Sequence, residues 1–425
     1  MSTKRPSGRR YGVLVLVGAI TVALSACGGG SGFDDGGDTA GTDGGSEGGS
    51  GSLDVLIASS GDAETQAVEE AVAAWSEESG TEASVNVAAD LPQQLSQGFA
   101  AGSPPDVFYV STDHFPGYAA NGSLEPYADQ LENVDDFYPE LVNSFTFEDQ
   151  LYCAPKDFST LALIINDEAW SAAGLTEDDY PTTWEELAEV AATLTTDTQV
   201  GLSFGPEWQR IGVFMAQAGG GLVSEDGSEA VVDSPENAEA LTFVKEQLTA
   251  GNVKYPSEVG TGWGGEAFGT AAAAMTIEGN WITGAMQNDF PDVGYTAVSL
   301  PEGPAGPGTL QFTNCWGIAA DSQNKEAAVA LVEHLTTTEQ QLEFARAFGV
   351  MPSVQSAADS YLEEFPEMEA FLSGVDYAQG VPPIDGVAAV VSDFNAQLEG
   401  LAGAEPQAIL TSVQSSMSAA VAEAS

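Results

Sequence analysis

The chain has 425 residues, in which 64 Asp and Glu outnumber 10 Lys and Arg, giving a formal net charge of −54 at pH 7. Nucleic acids and anionic lipid surfaces are poor partners for so acidic a chain, because like charges repel. Its length exceeds what one hydrophobic core usually spans, so we expect two domains.

The first residues carry the features of an export signal. Four of the ten basic residues lie ahead of an apolar run at residues 13–24, which ends in Leu24-Ser25-Ala26-Cys27. The run is short for a membrane span and a small-residue site follows it, which predicts a bacterial signal peptide over residues 1–26. The ending resembles a lipobox, which implies a diacylglycerol on Cys27 that anchors the protein to the extracellular face of the cell membrane.

Residues 27–52 are predicted to form a disordered tether behind the lipidated cysteine. After Cys27 they consist of Gly, Ser, Asp, Thr and Glu, apart from Ala40 and one aromatic residue, Phe33. Such a composition buries too little apolar surface to offset the entropy of ordering the chain. We therefore expect the folded part to begin near Leu53.

From residue 53 onward, short apolar runs alternate with amphipathic helical patterns. The predicted elements in chain order are strand 53–58, helix 64–78, strand 85–88, helix 93–101, strand 106–110, strand 161–165, helix 184–194 and helix 235–250. Such alternation indicates an α/β fold with parallel or mixed sheets covered by helices on both faces. Ligands of such folds bind beyond the carboxyl ends of the strands, where residues 59–62 and 111–114 lie.

Five segments in a fixed order carry a family resemblance: PPDVFYVSTDHFPGYAANGSLEP, LYCAPKDFSTLALIINDEAWSAAGL, PTTWEELAEVAATL, AAAAMTIEGNW and WGIAADSQNKEAAVALVEHLTTTEQ. Together they resemble the extracellular solute-binding proteins of ABC importers, in the type 1 sugar-binding group that includes maltose-binding proteins. The resemblance implies the two-lobed periplasmic-binding-protein fold (type II), with two sheets joined by hinge strands. It places lobe 1 at residues 53–154 and 314–352, and lobe 2 at residues 155–313 and 353–425.

The function that the resemblance implies is capture of a mono- or oligosaccharide between the lobes by hinge closure, and its delivery to a membrane permease. No catalysis and no cofactor are implied, and a monomer is expected. Asp62 and Asp113 fall where maltose-binding members use carboxylates on sugar hydroxyls, and His114 falls where they place an arginine. Trp281 falls on a stacking tryptophan, and Trp208 lies near a stacking aromatic residue.

The side-chain types agree with a sugar ligand, whose hydroxyls need polar partners and whose C–H faces lie well against aromatic rings. Four tryptophans lie beside Gly, Pro or Asn in loop-like segments, where binding residues collect: Trp208, Trp263, Trp281 and Trp316. Trp263 and Trp316 have no counterpart in the maltose-binding members. Asp157 and Ser159, just past the first predicted hinge crossing, are the remaining candidates.

Two further cysteines, Cys153 and Cys315, are placed by the resemblance on neighbouring hinge strands. An exported chain meets an oxidising compartment, in which a lone pair of cysteines is usually joined. We therefore predict a disulfide between them. The alternative is two buried free thiols that pack as small apolar residues.

Two enzyme-like motifs compete with this interpretation. Residues 201–205 match the G-x-S-x-G nucleophile elbow, with Ser203 as nucleophile and His334 as base of a serine hydrolase. However, the apolar stripe of the helix around His334 leaves that side chain towards solvent. Residues 260–265 match G-x-G-x-x-G, but the segment before them is no buried strand, and Trp263 would crowd a phosphate turn.

The sequence also bears on two other ligand classes, metal ions and cationic solutes. A metal site is not expected, because the two histidines, His114 and His334, are far apart in the sequence and no Cys or His pair has ligand spacing. A polyamine or another cationic solute is an open alternative to sugar, because aromatic rings backed by carboxylates also suit amines.

Overall fold

A computed structural model describes residues 51–224 and 226–424 of the chain. The predicted signal peptide, Cys27 and nearly all of the predicted tether lie outside these residues. Within them, no helix combines the length and the apolar character needed to cross a membrane.

The described residues alternate between strands and helices. The strands are β1 (Leu53–Ile57), β2 (Ala83–Val87), β3 (Val107–Ser111), β4 (Thr146–Phe147), β5 (Gln150–Leu151), β6 (Ala154–Asn166), β7 (Val200–Ser203), β8 (Val253–Lys254), β9 (Ala273–Gly279), β10 (Tyr295–Val298), β11 (Thr309–Ile318) and β12 (Ala378–Gln379). The helices are α1 (Asp62–Ser79), α2 (Leu91–Ala101), α3 (Phe115–Ala120), α4 (Pro139–Ser144), α5 (Asp167–Ala172), α6 (Trp184–Leu194), α7 (Trp208–Gln217), α8 (Pro235–Ala250), α9 (Gly264–Gly269), α10 (Ile282–Asn288), α11 (Lys325–Leu335), α12 (Thr338–Phe348), α13 (Ala358–Glu364), α14 (Glu369–Leu372), α15 (Val387–Leu398) and α16 (Pro406–Ala424).

Local signals in the sequence account for several helix ends. The side chains of Asp90, Thr183 and Ser234 each accept a hydrogen bond from a backbone N–H in the first turn of α2, α6 and α8. Such caps satisfy donors that the helix itself leaves unpaired. Gly102 and Gly251 then end α2 and α8 in the left-handed conformation that glycine adopts without strain. The sequence therefore encodes these boundaries locally.

The main sheet has ten strands, eight of which follow the order β2-β1-β3-β11-β6-β9-β7-β8. Strands β1 to β3 pair in parallel at one end, and β7 to β9 pair in parallel at the other. The long strands β6 and β11 run antiparallel to each other, and each also pairs with one of these groups. The two parallel groups are thus joined through β6 and β11, in agreement with the predicted sheets linked by hinge strands.

The buried apolar residues form separate clusters on either side of β6 and β11. One cluster draws on residues 53–154 and 315–357, and another on residues 161–310 and 384–421. A third cluster contains Tyr138, Phe158, Met351 and Phe371, and so combines segments assigned to different lobes. The α/β architecture is thus confirmed, whereas the lobe boundaries stay a prediction.

A disulfide joins Cys153 to Cys315, with their Cα atoms 5.7 Å apart. Cys153 directly precedes β6, and Cys315 pairs with Pro155 across the β6–β11 ladder. Both cysteines are fully buried. The predicted disulfide is confirmed, and with it the expectation that these two segments lie side by side.

Candidate functional site

The predicted polar residues of the first strand group lie at the carboxyl ends of its strands. Asp62 is the first residue of α1, and Asp113 and His114 follow β3; all three are exposed. The Nδ1 atom of His114 lies 3.0 Å from Ser111 Oγ, and its ring stacks on Tyr118 at 6.1 Å between centroids. These residues therefore face solvent at the edge where such folds bind ligands.

Asp157 belongs to a buried charge cluster, which we call the Lys156 cluster: Glu64, Tyr109, Lys156 and Asp157. Lys156 Nζ lies 3.3 Å from Glu64 Oε1 and also pairs with the Asp157 carboxylate. The Tyr109 hydroxyl donates to Glu64 Oε1 at 3.0 Å, and Lys156 Nζ lies 4.6 Å from the centroid of the tyrosine ring. Asp157 is thus engaged by a neighbouring cation.

Charge pairing offsets burial unevenly in the Lys156 cluster, because burial raises the pKa of Asp157 in spite of Lys156. Burial alone would raise the pKa of Glu64, but Lys156 and two hydrogen bonds from Ser60 outweigh burial and leave that pKa below its ordinary value. Burial would lower the pKa of Lys156, but Asp157 and Glu64 outweigh it and raise that pKa. The cluster ties α1 and β3 to the start of β6 through paired charges.

Ser159 is buried and holds the segment that carries Trp281. Its Oγ accepts a hydrogen bond from the backbone N–H of Asn280 at 3.0 Å and donates to the Thr160 carbonyl at 3.1 Å. The Asn280 side chain in turn donates to the Gly349 carbonyl at 2.8 Å. Ser159 therefore supports the neighbour of Trp281.

Trp281 belongs to a second cluster, the Trp281 cluster: Arg210, Glu278, Trp281 and Phe312. Its indole N–H donates to Glu278 Oε2 at 3.0 Å, and Arg210 Nη2 lies 2.6 Å from the same oxygen. The Arg210 guanidinium lies 5.3 Å from the Trp281 ring centroid, and Phe312 packs edge-to-face on that ring at 5.1 Å. Trp281 is nevertheless 38% exposed.

The other predicted tryptophans are less accessible. Trp316 lies within β11, is 1% exposed and packs on Tyr109 at 4.8 Å, so its assignment to a loop is wrong. Trp208 begins α7 and is 3% exposed, so its assignment to a loop is also wrong. Trp263 directly precedes α9 and is half-buried. The flanking Gly, Pro and Asn residues misled the prediction, because packing between distant segments decides which rings are buried.

A cavity of about 900 Å³ lies next to the first turn of α7. Its wall includes Trp208, Gln311, the β4–β5 hairpin and parts of residues 219–227 and 378–384. Three carboxylates line it, from Glu140, Glu148 and Asp226, and no Lys, Arg or His is among the described lining residues. We call this space the acidic cavity.

Two buried polar groups on the wall of the acidic cavity lack a protein partner. The Nε2 atom of Gln311 donates to the Glu140 carbonyl at 2.9 Å and to Ser144 Oγ at 2.7 Å, whereas its Oε1 has no hydrogen-bond partner. The indole N–H of Trp208 has none either. Both atoms are enclosed by protein, and buried polar atoms normally find partners, so these two are exceptions within the described residues.

Sequence reasoning missed most members of these clusters. Arg210 was a detectable case, because a cation inside an otherwise apolar helix needs a buried partner. Lys156 and Glu64 gave no such signal, because the local sequence around each residue does not indicate that the other is its partner. Within the described residues, five Lys and Arg form ion pairs: Lys156, Arg210, Lys245, Lys325 and Arg346.

The enzyme-like motifs do not form the sites that their patterns suggest. Ser203 is fully buried within β7, and its Oγ has no hydrogen-bond partner in the described part of the chain, so the hydrolase alternative is wrong. Residues 260–265 follow a short surface turn and lead into the six-residue α9, not from a buried strand into a long helix. Between residues 51 and 424, leaving out 225, no group of His, Cys, Asp or Glu is arranged to hold a metal.

The profile of the bacterial extracellular solute-binding proteins matches residues 70–371. The chain belongs to this family. Its members are extracellular solute-binding proteins of bacteria.

Individual relatives bind different solutes. The sn-glycerol-3-phosphate-binding periplasmic protein UgpB of Salmonella typhimurium is 28% identical over 182 residues, which cover 38% of this chain and 42% of the relative. The crystal structure of a cyclic α-maltosyl-1,6-maltose binding protein from Arthrobacter globiformis is similar with a TM-score of 0.78 at 21% identity, over 88% of this chain and 99% of that one. A Thermotoga lettingae solute-binding protein bound with α-D-tagatose has a TM-score of 0.75 at 22% identity, over 88% and 100%. These structures share the two-lobed α/β fold.

Proposed function

We propose that this solute-binding protein captures a carbohydrate in a cleft between two lobes and delivers it to the permease of an ABC importer. The exposed ring of Trp281 carries the proposal. Among the described residues, Trp281 and Val87 are the large apolar side chains that remain exposed. An aromatic ring that stays exposed while polar neighbours fix its position is suited to the C–H face of a sugar ring.

The contacts around Trp281 favour a role in ligand binding over a role in packing. Glu278 fixes the indole N–H, and Phe312 and Arg210 contact the ring. A ring fixed in this way loses little conformational entropy when a ligand binds, which favours affinity. Asp62, Asp113 and His114 are proposed to bind sugar hydroxyls from the first strand group.

The charge distribution argues against an anionic solute such as the glycerol phosphate of the Salmonella relative. The two cations near the proposed site, Lys156 and Arg210, already contact buried carboxylates. An incoming phosphate would have to compete with those carboxylates for the same hydrogen-bond donors. A neutral or cationic carbohydrate meets no such competition.

The strands β6 and β11 are the proposed hinge. They pair with each other and connect the two parallel strand groups, so a change in their twist rotates one group relative to the other. Closure would bring Trp281 and the carboxyl-end residues of the first group onto the same ligand. The lobe division at residues 53–154 and 314–352 against residues 155–313 and 353–425 belongs to this proposal.

The experiment is calorimetry with a panel of neutral mono- and oligosaccharides, combined with tryptophan fluorescence. Trp281→Ala should weaken binding of any matching sugar at least about tenfold, whereas Trp281→Phe should retain most of it, because an aromatic face is preserved. Both variants should keep the wild-type melting temperature within a few degrees. Equal affinities for wild type and Trp281→Ala would contradict the proposal.

The proposed location is the extracellular face of the bacterial cell membrane, with a lipid on Cys27. The Leu-Ser-Ala-Cys sequence supports it. Cys27→Ala should release the protein into the medium or block its processing. An unchanged membrane fraction would contradict the anchor without affecting the proposed sugar binding.

A further inference from the structure

We propose that Lys156 is a positioning residue for sugar binding, which holds the segment between β1 and α1 in place through Glu64. The inference rests on the proposed carbohydrate binding and adds a buried residue that acts without touching the sugar. The segment comprises residues 58–61 and leads into Asp62, one of the proposed sugar ligands. We call it the β1–α1 loop. Because Lys156 belongs to β6, it connects this loop to the proposed hinge.

The first observation is a β-bulge at Lys156. Asp157 of β6 pairs with Asn314 of β11. The next pair is Pro155 with Cys315, so Lys156 is an extra residue without an opposite partner in β11. Bulges bend a strand and redirect side chains, and they are frequent beside functional sites. This bulge places the ammonium group of a hinge residue against α1.

Buried side chains hydrogen-bond to the backbone of the bulge. The Pro155 carbonyl accepts a hydrogen bond from Ser353 Oγ at 2.7 Å, and the Lys156 carbonyl accepts one from Gln341 Nε2 at 3.0 Å. Gln341 Oε1 in turn accepts from the Ser353 backbone N–H at 2.8 Å. Ser353 and Gln341 are fully buried. A buried and fully satisfied network of this kind fixes one conformation, so the direction of the Lys156 side chain is fixed as well.

The second observation is that Glu64 divides its two oxygens between the bulge and the β1–α1 loop. Oε1 accepts from the Tyr109 hydroxyl and lies 3.3 Å from Lys156 Nζ. Oε2 accepts from the Ser60 backbone N–H at 2.7 Å and from the Ser60 hydroxyl at 2.8 Å. A carboxylate that accepts from this many donors is ionised, and a buried ionised carboxylate needs a paired cation. Without Lys156, Glu64 would take up a proton or turn towards solvent, and would release Ser60.

The β1–α1 loop transmits this contact to the proposed sugar ligand. Ser59 Oγ donates to the Gly61 carbonyl at 2.6 Å and accepts from Thr65 Oγ1 at 2.7 Å, so the loop is one hydrogen-bonded unit with the start of α1. Ser60 lies within this unit, two residues before Asp62. A shift of Ser60 therefore shifts Asp62, and a small misplacement of a binding group costs affinity.

The first test is hydrogen exchange at the Ser60 amide, which needs no sugar. Lys156→Met removes the charge, so this amide should exchange at least about tenfold faster. Lys156→Arg keeps a cation at the bulge and should remain closer to wild type. Lys325→Met is the matched control, because Lys325 pairs with Glu125 at the opposite edge of the sheet. There the Glu125 N–H donates to the Ile318 carbonyl beside the first residue of β3.

The second test is a double-mutant cycle measured by calorimetry, with maltose and maltotetraose as first probes and the remaining neutral sugars of the panel after them. Lys156→Met should weaken binding of a matching sugar by about tenfold. In the Asp62→Ala background it should have little further effect, because the group that it positions is gone. In the Trp281→Phe background its effect should persist. A purely structural role would lower the melting temperature without this selectivity.

A second variant tests the link from the loop side. Lys156→Met leaves Glu64 and Asp157 without their cation, so melting curves must establish that it folds. Ser60→Ala removes one hydrogen bond to Glu64 from an exposed position, which spares the core. It should speed exchange at position 60 and weaken sugar binding, each by about threefold or more. Should Lys156→Met not fold, Ser60→Ala decides the question.

The outcomes separate this inference from the proposed function. Unchanged exchange at position 60 in Lys156→Met and Ser60→Ala overturns the link between the bulge and the β1–α1 loop. Faster exchange with unchanged sugar affinity overturns the positioning role, and so do additive effects of Lys156→Met and Asp62→Ala. Failure of wild type to bind any sugar of the panel contradicts the proposed function and the positioning role with it, whereas the exchange data judge the link by itself.

Discussion

The ring of Trp281 lies where a side chain on Gly279 would have to be. A Cβ atom built on Gly279 would meet Trp281 Cζ3 at 2.2 Å, a separation that real Cβ atoms do not reach. Gly279 is the last residue of β9, and its backbone is not in the left-handed region, so close approach is the reason for glycine here. The glycine thus positions the exposed ring.

Gly279→Ala is therefore expected to displace the Trp281 ring and to weaken sugar binding by about tenfold or more, as a small misplacement of a fixed binding group does. Calorimetry and the fluorescence change on ligand addition measure the effect. Gly284→Ala is the control, because a Cβ at that position in α10 meets nothing within 4 Å. Unchanged binding by Gly279→Ala would mean that the ring position does not determine affinity.

Glu64→Gln is expected to destabilise the fold by about 2 kcal/mol at pH 7, through loss of a charged hydrogen-bond acceptor for Lys156 and Tyr109. The folded pKa of Glu64 lies below its ordinary value of 4.5, so its contribution is present above pH 4.5 and is lost as the pH falls through the folded pKa. Urea unfolding of wild type and variant should therefore converge in acid. Glu69→Gln, on the exposed side of the same helix, is the control. If the free energies of unfolding of wild type and Glu64→Gln changed in parallel with pH, the paired charges would not explain the difference in stability.

Replacing both Cys153 and Cys315 by alanine is expected to lower the free energy of unfolding by up to about 5 kcal/mol, because the disulfide closes a loop with a sequence separation of 162. Denaturant unfolding measures the change. Sugar affinity should stay close to that of wild type, since the bond lies within the proposed hinge and not at Trp281. Free alkylation of both thiols in the native protein would contradict the bond.

The melting temperature is expected to rise with NaCl. The formal charge of −54 produces self-repulsion in the compact state, and salt screens it as the Debye length falls from about 30 Å at 0.01 M to about 3 Å at 1 M. Scanning calorimetry across that range measures the effect. A matched series with a neutral osmolyte separates screening from general stabilisation, and a flat salt curve would mean that the charges are too dispersed to matter.

The sequence alone predicted the secondary structure closely where the signals are local. The helices predicted at residues 184–194 and 235–250 coincide with α6 and α8, whose caps, Thr183 and Ser234, directly precede them. Apolar periodicity and capping act within a few residues, so they can be read without knowledge of the fold. Family resemblance added the neighbouring hinge strands and the disulfide.

Tertiary structure alone decided which side chains meet. Lys156 pairs with Glu64 because β6 passes beside α1, and Trp316 is buried because β11 packs it on Tyr109. Neither fact has a local signal, since the partners come from distant segments. The sequence by itself therefore determined the elements and their order, through interactions between near neighbours. The buried charges, the exposed Trp281 and the acidic cavity arise only when packing brings distant residues together and removes some of them from water.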